Sequence, residues 1–124
     1  HVDIHSEMFK RFSLSFGDSE DLLQTPDQLI QSSSFGNLNN NLVVELCEAA
    51  RYINISATGE LPPSLVGIWG GTLRPEWSGD FTHNGNVPSN LAGGLNTNFP
   101  EIIEAYMDYM WSMMDDFRDN AKDI

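Results

Sequence analysis

Apolar residues recur at helical spacing near both ends of the chain and again before its centre, and one long stretch between them has no period. In His1–Phe12, Ile4, Met8, Phe9 and Phe12 share a face, with Asp3, Glu7 and Lys10 elsewhere, which predicts a first amphipathic helix. Thr25, Pro26 and Gln28 supply an N-cap, a proline at the first helical position and a capping box, so a short second helix is predicted over Thr25–Ser34. The Asn residues that follow can cap a third. From Asn41 to Ala57 apolar side chains take up most of the circumference, and Glu45, Glu48 and Arg51 form the only polar stripe. That pattern predicts a helix buried on two sides. Asn98 to Asp123 carries Ile103, Tyr106, Met110, Met113 and Phe117 at intervals of three and four, widened by Ile102, Tyr109, Trp111 and Met114. Asn98, Pro100 and Glu101 offer this last helix a cap with a reciprocal acid. The fold class is mainly α, with about four helices and one long irregular loop.

The connections differ in character. Ser13–Gly17 alternates polar and apolar residues, as a short extended segment or a plain exit from the first helix. The acidic run from Gly17 to Leu23 reads as a surface connection, because it lacks the alternating ligand positions and distal Glu of a calcium loop. Gly59–Asn98 is dense in Gly, Pro, Asn and Ser and holds two of the three tryptophans. A connection this long must be held by specific contacts, and aromatic rings on such a loop point to a binding or active site.

Charge and composition narrow the partners. With 6 basic and 18 acidic residues the formal charge is −12, which opposes a phosphate backbone, so no nucleic-acid partner is expected. No apolar run reaches membrane-spanning length and no signal-peptide pattern is present, so no membrane partner is expected either. The chain begins at His1 rather than Met, which suggests an excised or processed segment. The lone Cys47 lies among apolar residues and reads as a buried structural thiol.

Several chemistries find no support. Gly67–Gly71 lacks the spacing of a dinucleotide fingerprint and the lysine of a phosphate loop. His1, His5 and His83 are scattered and Cys47 stands alone, so neither a metal nor any other cofactor is expected. A serine nucleophile elbow is missing. The Asn54-Ile55-Ser56 triplet matches a glycosylation acceptor, read as a chance match on a buried helix end. What remains is Trp69, Trp77, Phe81, Asn84, Asn86 and Asn90. Pyranose rings have apolar C–H faces that stack on aromatic rings, and their hydroxyls match the paired donor and acceptor of a carboxamide. The same residues would also serve a loop whose tryptophans pin it to the scaffold and whose asparagines satisfy its turns. Residue types alone leave both readings open.

The order of short motifs goes further. Arg51-Tyr52, Leu61-Pro62, Leu65, Gly67-Ile68-Trp69, Pro75, Trp77, Thr82, Asn84 and Asn86 resemble, in order and spacing, a segment of the family 95 glycoside hydrolases, the inverting α-L-fucosidases and related α-L-galactosidases. The family segment runs RYLL-S-S, LP-NLQGIWN, P-W and N-x-N. Upstream, His5–Gly17 looks like the family's helix with its following turn, and Thr25–Gln31 like its TDERL segment. Downstream, Asn98–Met110 takes the place of its N-L-S-E helix.

The resemblance implies an (α/α)6 toroid, with residues 1–124 as its early helices and residues 59–98 as an active-site loop. It implies that Asn84 and Asn86 help an aspartate to position and activate the attacking water; from the ring and carboxamide chemistry above, Trp69, Trp77 and Asn90 are the expected substrate-binding side chains. A carboxamide has no useful basicity, so these residues orient while a carboxylate takes the proton. The family's aspartate and its acid glutamate come from later in the fold, and Asp80 and Glu76 are not matched to either. The implied partners are a glycan substrate and the remainder of a parent polypeptide, in an extracellular or periplasmic setting. A face left bare by truncation would be open to pairing with a second copy. After Asn86 the family continues T-x-M-N-Y-W-P, whereas this chain has Val87, Pro88, Ser89, Asn90, Leu91, Ala92 and Gly93 and keeps only Asn90. A non-catalytic carbohydrate-binding or scaffolding module, or a plain helical interaction domain with buried tryptophans, are the alternatives.

Overall fold

A computed structural model describes residues 1–16 and 24–123. The acidic connection expected at Gly17–Leu23 lies outside the described residues. Six α-helices occur among the described residues, α1 (Val2–Lys10), α2 (Pro26–Ser32), α3 (Asn40–Ala57), α4 (Asn86–Leu91), α5 (Glu101–Ser112) and α6 (Met114–Asn120), with two short 3-10 turns and no strand. They divide into two compact units, His1–Ile53 and Asn54–Ile124.

In the first unit α1 follows the predicted amphipathic pattern, with Met8 and Phe9 half-buried and Ile4 exposed. Arg11 closes the helix and reaches back one turn, its Nε and Nη2 each 3.0 Å from a carboxylate oxygen of Glu7. The chain from Phe12 to Phe16 is irregular rather than extended in a sheet. The capping box of α2 forms as the sequence predicts. Gln28 N donates to Thr25 Oγ1 at 3.4 Å and Thr25 N to Gln28 Oε1 at 2.8 Å, while Leu29 is buried. A tight turn follows in which Ser34 and Asn37 exchange backbone bonds, with Gly36 at φ +86 where a side chain would be strained. Asn39 Oδ1 then accepts from Asn41 N at 2.8 Å and caps α3.

Two expectations for α3 change. Arg51, read as part of a polar stripe, is buried at 4% exposure, because its guanidinium turns inward to the carbonyl end of α1 and lies 5.7 Å from the Phe12 ring centre. Conversely, Leu46, Tyr52 and Ile53 are exposed and Cys47 is only half-buried, so part of the apolar surface that the pattern would bury is open in this chain.

In the second unit the apolar core is Ile55, Ala57, Val87, Leu91, Phe99, Ile102 and Ala105, with Pro62, Pro63 and Gly94 also buried. The long loop does contain a helix: α4 places Val87 and Leu91, four apart, on its buried side. A single apolar pair spans too few residues to register as a period, which is why the sequence pattern hid it. Between α4 and α5 the chain is drawn tight around buried Gly94, whose N donates to Leu91 O at 2.9 Å and whose O accepts from Phe99 N at 2.8 Å. The final helix differs in two ways from its prediction. Asn98, expected as its cap, closes a 3-10 turn at φ 53, and Pro100 occupies the N-cap position without a side-chain bond. The helix also breaks at Met113 (φ −94, ψ 4), where Ser112 Oγ donates to Tyr109 O at 2.7 Å. Asp115 and Asp116 then fall in the first turn of α6, where the helix dipole favours acids. Ile102 and Ala105 form the buried edge of α5, while Ile103, Tyr106 and Met110 are half-buried and Trp111 and Phe117 exposed.

Candidate active-site loop

The loop after Ala57 is shaped by backbone bonds before any side chain takes part. Leu65 N donates to Asp80 O at 2.9 Å and draws two parts of the loop together. Within the span they enclose, Gly67 N donates to Ser64 O at 3.0 Å and Ser64 Oγ to Gly67 O at 2.9 Å, a tight turn with Gly67 at φ +59. A Cβ on Gly67 would stand 3.0 Å from the Trp69 ring, so the missing side chain lets that ring lie against the turn. Even so, Trp69 remains 52% exposed and Trp77 77% exposed. The reading in which both tryptophans are spent pinning the loop does not fit these exposures. Trp77 and Ser78 both adopt left-handed backbone, at φ 55 and φ 59, a conformation that disfavours residues with a Cβ.

Next comes the asparagine turn. Thr82 Oγ1 donates to Asp80 Oδ1 at 2.7 Å, and Val87 N to Thr82 O at 3.0 Å, which folds residues 83–86 into the entry of α4. Asn84 lies in that turn and Asn86 is the first residue of α4; both are exposed. Asn90, four residues on, shares the exposed side of α4 with Asn86, and its carbonyl accepts from Asn54 Nδ2 at 3.3 Å. That bond gives Asn54 a packing role within the unit. The structure thus places Asn84, Asn86 and Asn90 along one turn and the short helix that follows it. Among the described residues no hydrogen bond or ring contact links them to Trp69 or Trp77.

An open cleft of about 470 Å³ lies elsewhere on the same loop, lined by Ala57, Leu61, Pro62, Ser64, Gly67, Ile68 and Phe81 among others, and by none of the asparagines. Among the described residues Glu60 is the one charged residue along it. No group of three or more metal-ligating side chains is present among the described residues, and none of their helices is long and apolar enough to cross a membrane.

One side chain that the sequence reading left scattered gains a place. His83 is half-buried, its ring centre 5.9 Å from that of Tyr106 and 5.7 Å from that of Tyr109, while Phe81 lies 4.6 Å from Tyr109. The tyrosines, three apart on α5, were legible as a helical pair; that the loop would lay His83 on them was not.

The model of the glycosyl hydrolase family 95 catalytic domain matches residues 1–124. The chain belongs to glycoside hydrolase family 95. It is 30% identical over 115 residues to "Probable alpha-fucosidase A" of Aspergillus oryzae, covering 89% of this chain and 16% of that protein. It is likewise 30% identical to the protein of the same name from Aspergillus niger, over 89% of this chain and 14% of that one. "Alpha-L-fucosidase 2" of Arabidopsis thaliana is 29% identical over 98% of this chain and 15% of its own length. The chain therefore spans about 15% of the length of these curated relatives. No solved structure matches it significantly.

Proposed function

We propose that this chain forms one wall of the active site of an inverting glycosidase acting on terminal α-L-fucosyl or α-L-galactosyl groups of glycans. The observation that carries the reading is the placement of Asn84 and Asn86, exposed at the entry of a helix that is anchored by buried Val87 and Leu91. A rigid support of this kind lets a carboxamide act on a bound water without first being ordered. Family membership and the fucosidase names of the relatives supply the reaction class.

In the proposed mechanism the carboxamides of Asn84 and Asn86 hold and polarise the water. A carboxylate from the remainder of the polypeptide takes its proton, and a second carboxyl protonates the leaving oxygen. Inversion requires those two carboxyls to stand roughly 6.5–9.5 Å apart with the water between them. Trp69, Trp77 and Asn90 contact the sugar, the rings through stacking and the amide through hydroxyl pairing. Residues 1–124 are then the early helices of an (α/α)6 toroid and release no sugar by themselves. Substituting Asn84 or Asn86 by Ala in the full-length polypeptide should lower kcat by roughly a hundredfold, as loss of one preorganised donor does elsewhere, with the fold retained. An unaltered kcat removes these residues from the mechanism, and a full-length protein that releases neither fucose nor galactose overturns the enzyme reading.

The non-catalytic carbohydrate-binding alternative draws on one observation. Leu91 and Ala92 stand where the family pattern has Tyr and Trp, and Leu91 is buried, so that part of α4 offers a sugar no aromatic face. Under that alternative glycans bind and are never cleaved.

A further inference from the structure

His83 is the polar ring packed closest in sequence to the asparagine pair. Phe81 and His83 alternate with Thr82, whose hydroxyl is engaged by Asp80, so both rings turn to the tyrosines of α5 while Thr82 turns back to its own loop. The His83 ring lies nearly parallel to Tyr109, at 24°, and tilted against Tyr106, at 42°. Its Nδ1 is buried and has no hydrogen-bond partner among the described residues. The nitrogen therefore contributes nothing to holding the ring, and the flat faces do the holding. Asn84 follows directly in the chain. Whatever fixes His83 on α5 also fixes the backbone from which Asn84 projects, and, through the bond from Val87 N to Thr82 O, the entry of α4 that carries Asn86.

We infer that His83 is a positioning residue for the proposed hydrolysis: its stacking on Tyr106 and Tyr109 sets the register of the Thr82–Asn86 turn and so aims the Asn84 and Asn86 carboxamides at the attacking water. This rests on the functional reading above. It differs from a packing role in what it affects, because a displacement of about 1 Å at a reacting group can reduce turnover by roughly a hundredfold with little effect on substrate affinity.

The test uses the full-length polypeptide and three variants, His83→Ala, His83→Asn and His83→Phe, with kcat and KM measured separately and hydrogen exchange followed over the Thr82–Asn86 segment. The expected result is a kcat reduced by about tenfold or more in the Ala and Asn variants with KM within about twofold, faster exchange in that segment, and recovery of both by Phe. Asn keeps a polar side chain and loses the ring, so its failure beside the success of Phe assigns the role to stacking. Wild-type kcat in His83→Ala, with only the melting temperature lowered, would reduce the ring to packing and overturn the inference. So would a Phe variant no better than Ala. An active wild type with impaired Asn84→Ala but normal His83→Ala defeats this inference alone, whereas a wild type without glycosidase activity defeats the functional reading and this one with it.

Discussion

The guanidinium of Arg51 donates to the carbonyl of Met8 in the last turn of α1, and its Nε lies 3.4 Å from the carbonyl of Phe9. Helix ends leave carbonyls without intrahelical partners, and a planar, permanently charged fork can satisfy two of them together. Replacing Arg51 by Met keeps the stem but removes the charged donor from both carbonyls, leaving Met8 O with the bond from Arg11 N at 3.3 Å, so the protein should lose about 1–3 kcal/mol of stability. Lysine, with a single point charge, should recover only part of this. A shift in urea midpoint corresponding to less than about 0.5 kcal/mol would mean that the bond is not maintained in solution.

A similar argument applies to Gly94. A Cβ there would stand 2.4 Å from Ile102 Cγ2 and 3.2 Å from the carbonyls of Leu91 and Phe99, and two of those three contacts are backbone. Gly94→Ala should cost about 1–3 kcal/mol, the usual range for overpacking a filled site. Its neighbour Gly93 meets nothing within 4 Å, so Gly93→Ala should lie within about 0.5 kcal/mol of wild type. Equal melting temperatures for the two variants would contradict the tight packing of the α4–α5 connection.

The left-handed pair Trp77–Ser78 predicts a gain. Ser78 at φ 59 is exposed and, among the described residues, hydrogen-bonds through its backbone N–H alone, which donates to Pro75 O at 3.1 Å. Ser78→Gly keeps that bond and removes the Cβ penalty, so it should raise stability by roughly 0.5–1 kcal/mol after the added chain entropy is counted. Thermal melting reads this directly, and a lower melting temperature would sink the idea that the Ser78 backbone is strained.

Much of this architecture was legible from local signals. The capping box of α2 is a three-residue code satisfied within itself, so Thr25 and Gln28 could be read without knowing what α2 packs against. The motifs around Arg51, Trp69 and Asn84 likewise carried the family in their order. What stayed hidden depended on partners distant in sequence. The spacing of Arg51 with Glu45 and Glu48 marks a polar stripe, and only the approach of α1 turns its side chain inward. α4 was lost inside a loop because its two buried residues, Val87 and Leu91, make too short a pattern, and the break at Met113 follows from a local bond of Ser112 that no apolar stripe records. Trp77 stands out in the sequence for its chemistry, whereas its exposure is a matter of packing, and that exposure argues against a pin.

That exposure leads to a prediction about binding. Trp77, 77% exposed at a left-handed backbone position, and Trp69, 52% exposed against Gly67, leave much of their ring surface open. If the partner is a sugar face, titrating L-fucose or a fucosylated oligosaccharide into the full-length polypeptide should change tryptophan fluorescence in a saturable way, and Trp77→Ala should diminish that change. The same variant should raise KM by about fivefold to tenfold, equivalent to roughly 1–1.4 kcal/mol of lost stacking. Trp77→Phe, which keeps an aromatic face of smaller area, should lie between Ala and wild type. A KM and a fluorescence signal both indifferent to Trp77 would instead assign the ring to contact with another part of the polypeptide, because an exposed indole held at a left-handed backbone position contributes little to the stability of its own loop.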